Sequence, residues 1–153
     1  MDFDGEHRIG ATRAQVWQAL NDPIILAACI PGCETLEATG PGTYTATVAL
    51  RVGALAARFT GLLSLTDVEE ARAYTLTGQG QGGVAGFVSG SARVVLEDDG
   101  DATILRWTAT GEIGGRLASV GGRLLHGFAA KTANQFFSRM NDKLGSQPDC
   151  GSM

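Results

Sequence analysis

Apolar and polar residues alternate along most of the chain between residues 34 and 113, and this period of two is typical of β-strands. Turn-forming clusters such as Asp98-Asp99-Gly100-Asp101 interrupt the alternation at short intervals. The pattern therefore predicts about six strands that pair sequentially and antiparallel. Residues 2–10 also alternate and predict a first strand, which gives a sheet of about seven strands.

Helical signals flank this run of strands. Thr12 and Gln15 form a capping box at the start of a short helix, and Pro23 ends that helix and opens a second one over residues 23–28. After Gly115 the apolar residues recur every three or four positions, which predicts an amphipathic helix of roughly eight turns. That helix should end near Gly145, with residues 146–153 as a flexible tail.

The order of these elements predicts the architecture. A single amphipathic helix can bury its apolar stripe only against the concave face of the sheet. We therefore predict an α+β helix-grip fold, in which a curved antiparallel sheet of about seven strands closes over a long C-terminal helix and two short helices follow strand 1. A chain of 153 residues without internal repeats or a linker should form one domain, over residues 1–145.

Glycine is the compositional outlier, with 22 residues where an average usage of roughly 7% predicts about half as many. Within a strand, glycine permits sharp bends and places no side chain in the interior. We therefore expect a cavity beneath the sheet. The alternative is a solid core, in which the glycines serve only twist and close contact with the helix. Six of them cluster in two neighbouring predicted strands: Gly78, Gly80, Gly82, Gly83, Gly86 and Gly90.

The inward positions are almost all apolar, apart from the polar tips of two tyrosines and a tryptophan. Such a pocket suits a hydrophobic ligand that is held by shape and oriented by a few polar groups. The residues predicted to line the cavity and bind the ligand are Trp17, Ile30, Pro31, Tyr44, Val48, Phe59, Leu63, Tyr74, Leu76, Val88, Trp107, Leu117, Val120, Leu124 and Phe128.

The candidate chemical groups do not assemble into a catalytic or metal site. Cys29 and Cys33 are separated by three residues in a C-x3-C spacing without further ligands nearby, so we expect buried structural cysteines and no metal. His7 and His126 lack an evident nucleophile or carboxylate partner and should be solvated or lie on a flank. Cys150 is expected to be a free surface thiol in the tail.

Charged residues also fall outside the predicted interior. The alternation places Arg58, Arg93, Arg106 and Glu112 on the outward face, since the opposite register would bury them all. Residues 78–83 contain G-x-G-x-x-G, but a strand follows instead of the helix that a dinucleotide site requires, so we reject that match. Binding is therefore favoured over catalysis.

Composition narrows the partners and the location. A net charge of −4 and a pI near 5.1 argue against a nucleic-acid partner. No run of eighteen apolar residues occurs, and the acidic N-terminus lacks the features of a signal peptide. We expect a cytoplasmic protein with at most peripheral contact at the inner face of the cytoplasmic membrane. A homodimer is compatible with the chain, since twofold pairs are the commonest soluble oligomers.

Three segments of the chain carry a family resemblance: residues 16–23, residues 29–34 and the glycine-rich residues 78–92. The first is common to the START-like (SRPBCC) superfamily of helix-grip proteins. The other two are more distinctive and resemble the CoxG family of carbon monoxide dehydrogenase proteins. The resemblance covers about residues 5–144. The longer members continue into a C-terminal extension with a membrane anchor, so direct anchoring is not expected here.

The resemblance implies an accessory role for a molybdenum-containing carbon monoxide dehydrogenase or a related molybdenum hydroxylase, in recruiting it to the membrane. Because such enzymes pass electrons towards quinones, we hypothesise that the cavity holds a quinone or another lipid, with no other cofactor. Two alternatives stay open. One is a START-like cyclase or hydrolase acting on a hydrophobic substrate, and the other is an interaction protein with a filled core.

Overall fold

The computed structural model describes residues 1–145. It contains one seven-stranded antiparallel sheet in the order β1-β7-β6-β5-β4-β3-β2, together with four helices. This confirms the predicted α+β helix-grip architecture and the sequential pairing of the strands that follow the two short helices. The predicted tail, with Cys150, lies outside the described residues, and the division into a domain and a flexible tail stays a prediction. The strands are β1 (Asp2–Ile9), β2 (Cys33–Gly40), β3 (Thr43–Val52), β4 (Leu55–Glu69), β5 (Ala73–Gln81), β6 (Phe87–Asp99) and β7 (Ala102–Gly114).

Helices α1 (Arg13–Leu20) and α2 (Pro23–Cys29) carry the chain from one edge of the sheet to the other. The predicted capping box is present, because Thr12 accepts from the backbone of Gln15 and the Gln15 side chain accepts from the backbone of Thr12. Pro23 occupies the first turn of α2, whose cap is Asp22. β1 then pairs with β7, the last strand of the chain, so the two edges of the sheet are β1 and β2.

The prediction of one continuous C-terminal helix was wrong in one respect. A short helix, α3 (Arg116–Ser119), precedes the long helix α4 (Gly122–Gly145). Gly121 separates them with a φ of +96°, a conformation that glycine adopts without the steric cost that other residues bear. The apolar period continues across this break, so spacing alone did not reveal it.

A second difference concerns the connection between β5 and β6. Continued through this connection, the alternation of residues 34–113 would place Val84 inward on a strand, but residues 83–85 form a 3₁₀ turn. Val84 is 85% exposed there, and Ala85 is the buried residue instead. The turn interrupts the alternation only locally, because the inward residues are even-numbered both before it, as at Gly80, and after it, as at Val88.

Two separate clusters of buried side chains hold the sheet against the helices. One lies beneath α1 and the C-terminal half of α4 and includes Val16, Leu105 and Met140. The other lies near α3 and the start of α4 and includes Leu117 and Leu125. The inward residues of the strands between these clusters are smaller, and this difference creates the candidate site.

Candidate ligand-binding cavity

A cavity of about 940 Å³ lies between the concave face of the sheet and α4 and is open to solvent. Its volume falls in the range of about 300–1,000 Å³ that small-molecule sites occupy. The described structure therefore has the predicted cavity and not the solid core. The strand residues on its apolar wall are Ala46, Val48, Leu50, Val52, Phe59, Leu63, Leu76, Val88, Ala92, Ala109 and Ile113.

Small residues in cross-strand register leave this space unfilled. Gly78, Gly90 and Gly111 pair side by side across β5, β6 and β7, and Ala92 pairs with Ala109 in the adjacent row. All five line the cavity. Along the same strands, the inward positions nearer the first cluster carry larger side chains that pack against one another. The cavity thus exists because the glycine row has no side chains across β5, β6 and β7, and the adjacent row has only the methyl groups of two alanines on β6 and β7.

Nine of the fifteen residues predicted to line a cavity do line it. The loop after α2 contributes Ile30 and Pro31, and α4 contributes Leu124 and Phe128. The sheet contributes the rest. Their contact with a ligand stays a prediction. The nine residues are Ile30, Pro31, Val48, Phe59, Leu63, Leu76, Val88, Leu124 and Phe128.

The other six predicted residues do not line the cavity, and most of them lie in the packed clusters instead. The ring of Trp17 on α1 meets that of Tyr74 at a tilt of 43°, with centroids 5.6 Å apart. Tyr74 belongs to the first cluster and Trp17 packs against it. Leu117 is buried in the second cluster, Val120 packs against that cluster, and both residues precede the helix break at Gly121. Inward alternation alone did not separate core positions from cavity positions.

The remaining two aromatic residues of this group also lie away from the cavity. Tyr44 is 7% exposed and does not line the cavity. Trp107 lies over Gly5, where a β-carbon would come within 2.6 Å of its indole nitrogen. Because Gly5 has no side chain, the Trp107 ring can lie over β1 instead of lining the cavity.

Neither buried tyrosine supplies a phenolate. Burial raises the pKa of Tyr74 far above its ordinary value, and the nearby Tyr44 adds to the shift. Burial also raises the pKa of Tyr44, with a smaller contribution from Asp22. Both hydroxyls therefore stay protonated at neutral pH.

His7 is more enclosed than the sequence indicated. Its ring lies 4.3 Å from that of Phe137 on α4, and its Nε2 accepts a hydrogen bond from the Trp107 indole at 3.1 Å. Since an accepting nitrogen must be unprotonated, this contact requires the neutral imidazole. Burial lowers the pKa of His7, although the Glu6 carboxylate opposes the shift. The expectation of a solvated or flanking histidine was wrong here.

We expect a pH dependence of stability from His7. The folded protein binds the His7 proton less readily than the unfolded chain, whose histidine pKa is about 6.5. The contribution is therefore fully present above that pKa and is lost as pH falls towards the lower folded value. Urea unfolding midpoints from about pH 7.5 to about pH 5 should decline less steeply in His7→Gln than in the wild type. Equal slopes would contradict this assignment.

His126 lies on the exposed side of α4, as predicted. Its ring nitrogens lie 2.8 Å from the carbonyl oxygen of Gly122 and 3.0 Å from that of Asp2, which ties α4 to β1. The histidine has no nucleophile or carboxylate contact among the described residues that would support catalysis.

The two described cysteines differ in exposure. Cys29 is fully buried, but Cys33 is only half-buried, and its thiol donates to the carbonyl of Thr35. Burial raises the pKa of both thiols, so they are protonated and poorly nucleophilic at neutral pH. In residues 1–145, no group of three or more histidine, cysteine, aspartate or glutamate side chains is placed to hold a metal ion.

Charged side chains on the sheet point outward, as predicted, and form ion pairs. Arg93 pairs with Glu69, and Arg106 pairs with Glu6 and Glu97. The outward Arg58 pairs with Glu34. Glu112 is also exposed, but it borders the cavity as well.

Sequence reasoning missed part of the cavity lining. Ala46, Leu50 and Ala92 were already on the inward alternation and could have been found from it. By contrast, Arg51, Arg123 and Lys131 border the cavity without any signal in the pattern, because they lie off the apolar faces of their strand and helix.

Comparison with known proteins supports this fold. A conserved protein from Geobacillus kaustophilus shares 30% identity with the chain, and the alignment covers 95% of each chain with a TM-score of 0.89. The Zhui aromatase/cyclase from Streptomyces sp. R1128 shares 14% identity over 99% of each chain, with a TM-score of 0.74. A START superfamily protein from Mycobacterium smegmatis shares 12% identity over 94% of this chain and 97% of its own, with a TM-score of 0.72.

Family membership follows from the sequence match. A search of the curated proteins gave no significant match. Within residues 1–145, no helix has the combined length and hydropathy to cross a bilayer. The family model of CoxG, a carbon monoxide dehydrogenase subunit, matches residues 5–145, which is nearly the whole of the described fold. The chain therefore belongs to the CoxG family of carbon monoxide dehydrogenase subunits.

Proposed function

We propose that the chain is a non-catalytic accessory subunit of a molybdenum-containing carbon monoxide dehydrogenase or a related molybdenum hydroxylase. It holds an apolar molecule, a lipid or a quinone, in the cavity and aids recruitment of the enzyme, or electron transfer, to the membrane. The observation that carries the proposal is the open cavity of about 940 Å³ with apolar walls, in a chain of this family.

The shape and chemistry of the cavity support an apolar ligand. Aliphatic and aromatic side chains of the sheet meet Leu124 and Phe128 of α4 across it. Removing apolar surface of a ligand from water is favourable by about 25 cal/mol per Å², which is enough to retain a molecule of lipid size without many polar contacts. Thr132 and Gln135 of α4 offer polar atoms that could orient a quinone carbonyl or a lipid ester.

A START-like enzyme acting on a hydrophobic substrate is the second candidate. The likeness of fold to an aromatase/cyclase favours it. Such chemistry needs an acid or base that reaches the substrate inside the pocket. The basic side chains that border the cavity, Arg51, Arg123 and Lys131, are exposed, and the exposed Glu112 alternates with the inward Ile113. These exposed positions fit the solvent-facing border of the cavity better than an enclosed catalytic site.

Reconstitution of electron transfer tests the proposal. Purified carbon monoxide dehydrogenase would be mixed with quinone-containing vesicles, and carbon monoxide-dependent quinone reduction would be followed with and without the chain. We expect the chain to accelerate the reaction and to co-elute with the enzyme on size exclusion. Mass spectrometry of a solvent extract of the purified chain should reveal an apolar molecule at near-stoichiometric amount.

Controls separate the parts of the proposal. The variant Gly80→Leu, whose new side chain would enter the cavity, should lose acceleration but still co-elute with the enzyme. An extract without an apolar molecule, together with no thermal stabilisation by added quinone or lipid, would contradict ligand binding. Conversion of a hydrophobic substrate by the chain alone would support the enzymatic candidate.

A further inference from the structure

Acidic and basic residues are segregated along this chain. Residues 1–112 contain fourteen acidic residues and seven basic ones, whereas residues 113–141 contain four basic residues and no acidic one. The second stretch comprises α3 and most of α4, the helices that close over the sheet. A protein with a net charge of −4 therefore presents a distinctly cationic helical side.

The two groups of cations also differ in their partners. In residues 1–145, the six ion pairs involve arginines of the sheet and of α1, such as Arg8 with Asp99 and Arg13 with Asp98. Among those same residues, Arg51, Arg123 and Lys131 form no ion pair and are exposed. Since the acidic residues of the described chain do not neutralise them, their charges are available to an outside partner.

These three residues border the cavity, and we call them the cationic margin. The exposed Glu112 borders the cavity as well, so the charged residues of this border carry three positive charges and one negative charge. Leu124 lies next to Arg123 in the chain and is 49% exposed, which is unusual for a leucine of an amphipathic helix. A second depression continues from Lys131 along α4 and includes Arg139. The opening of an apolar cavity therefore carries cations around an exposed apolar side chain.

We infer that the cationic margin docks the opening of the cavity on an anionic lipid surface. This inference rests on the proposed function, because a lipid or quinone is poorly soluble in water and enters from a membrane. Docking by the margin would let the ligand pass from the bilayer into the cavity without exposure to water. Each lysine or arginine near an anionic bilayer contributes about 1 kcal/mol.

The charge distribution supports a lipid surface over an acidic protein. Anionic lipid attracts the margin and repels the acidic sheet face, so the molecule is oriented with its opening towards the membrane. The exposed Leu124 and the apolar walls behind it offer nothing to an acidic protein surface, whereas acyl chains can contact both. Cations beside apolar side chains are typical of proteins that bind in the membrane interface.

Sedimentation with vesicles tests the inference. One set of vesicles is pure phosphatidylcholine, and the other contains equal parts of phosphatidylcholine and phosphatidylglycerol. The wild type should bind the anionic vesicles and not the neutral ones, and added salt should weaken binding. At about 1 kcal/mol per charge, Lys131→Gln should weaken binding about fivefold, and Arg123→Gln with Lys131→Gln about 25-fold. Lys131→Arg should retain binding.

The matched control is Arg72→Gln. Arg72 is also exposed and has no ion pair among residues 1–145, but it lies in the turn between β4 and β5, away from the cavity lining. Its loss removes the same charge and should leave vesicle binding unchanged. A loss equal to that of Lys131→Gln, or equal binding of the wild type to both kinds of vesicle, would overturn the inference.

A separate measurement keeps the inference distinct from the proposed function. Uptake of the uncharged apolar dye Nile red by the wild type, without vesicles, reports on the cavity alone. Dye uptake without a preference for anionic vesicles overturns membrane docking and leaves ligand binding intact. A preference for anionic vesicles without dye uptake overturns ligand binding while the docking surface stands.

Discussion

Gly80→Leu is expected to weaken the binding of apolar ligands at least about tenfold while leaving the protein folded. Gly80 lines the cavity on β5, and a β-carbon there would meet Val88 Cγ2 at 3.4 Å and Phe59 Cβ at 4.0 Å, which are ordinary contacts. The rest of a leucine side chain would extend into space that the ligand is proposed to occupy. A tenfold loss corresponds to about 1.4 kcal/mol, less than full exclusion of a ligand would cost.

Gly80→Ala is the control for this prediction. A methyl group fits at the observed distances, and alanine in a strand costs roughly 0.5–1 kcal/mol less backbone entropy than glycine. Nile red titration and urea unfolding of both variants give affinity and stability together. Equal affinity of Gly80→Leu and the wild type, with both folded, would show that the ligand binds elsewhere.

Gly86→Ala is expected to destabilise the fold by at least about 3 kcal/mol. Gly86 follows the 3₁₀ turn with φ 114° and ψ −152°, a region that is essentially confined to glycine. A β-carbon at this position would also overlap the carbonyl oxygen of Gly114 at the end of β7. Backbone strain and a clash with backbone therefore act together, and neither can be relieved by a side-chain rotation.

Gly100→Ala separates the two contributions. Gly100 lies in the turn between β6 and β7 with φ +63°, and a β-carbon there would meet nothing within 4 Å. This substitution should cost only the conformational strain, about 1–2 kcal/mol. Urea denaturation with a common m-value compares the variants. If Gly86→Ala lowered the free energy of unfolding no more than Gly100→Ala, the backbone of Gly114 could move away from residue 86, and the predicted clash would be contradicted.

Local chemistry made several elements predictable. The capping box of Thr12 and Gln15 is a contact between residues three apart, and its residue types specify it directly. Alternation likewise predicted the strands. It also predicted that Arg93 and Arg106 face outward, because the opposite register would bury several charges at once. These features depend on neighbours in the chain, so the sequence contains the necessary information.

The candidate site was less predictable. The glycine cluster correctly indicated an unfilled interior, but the cavity depends on Gly78, Gly90 and Gly111 aligning across three strands. An inward residue lines the cavity or packs in a core cluster depending on the size of the side chains that face it from other strands and from the helices. Trp17 and Trp107 were placed in the cavity for this reason and pack against the first cluster instead.

By itself, the sequence determined the class of fold, the order of its elements, the family and an interior poor in side chains, because hydrophobic period and residue type are local properties. Only the tertiary structure decided where the packed clusters end and the cavity begins, that the helix breaks at Gly121, and that Arg51, Arg123 and Lys131 border the same cavity. Those facts depend on register and on contacts between residues far apart in the chain, and neither is encoded at any single position.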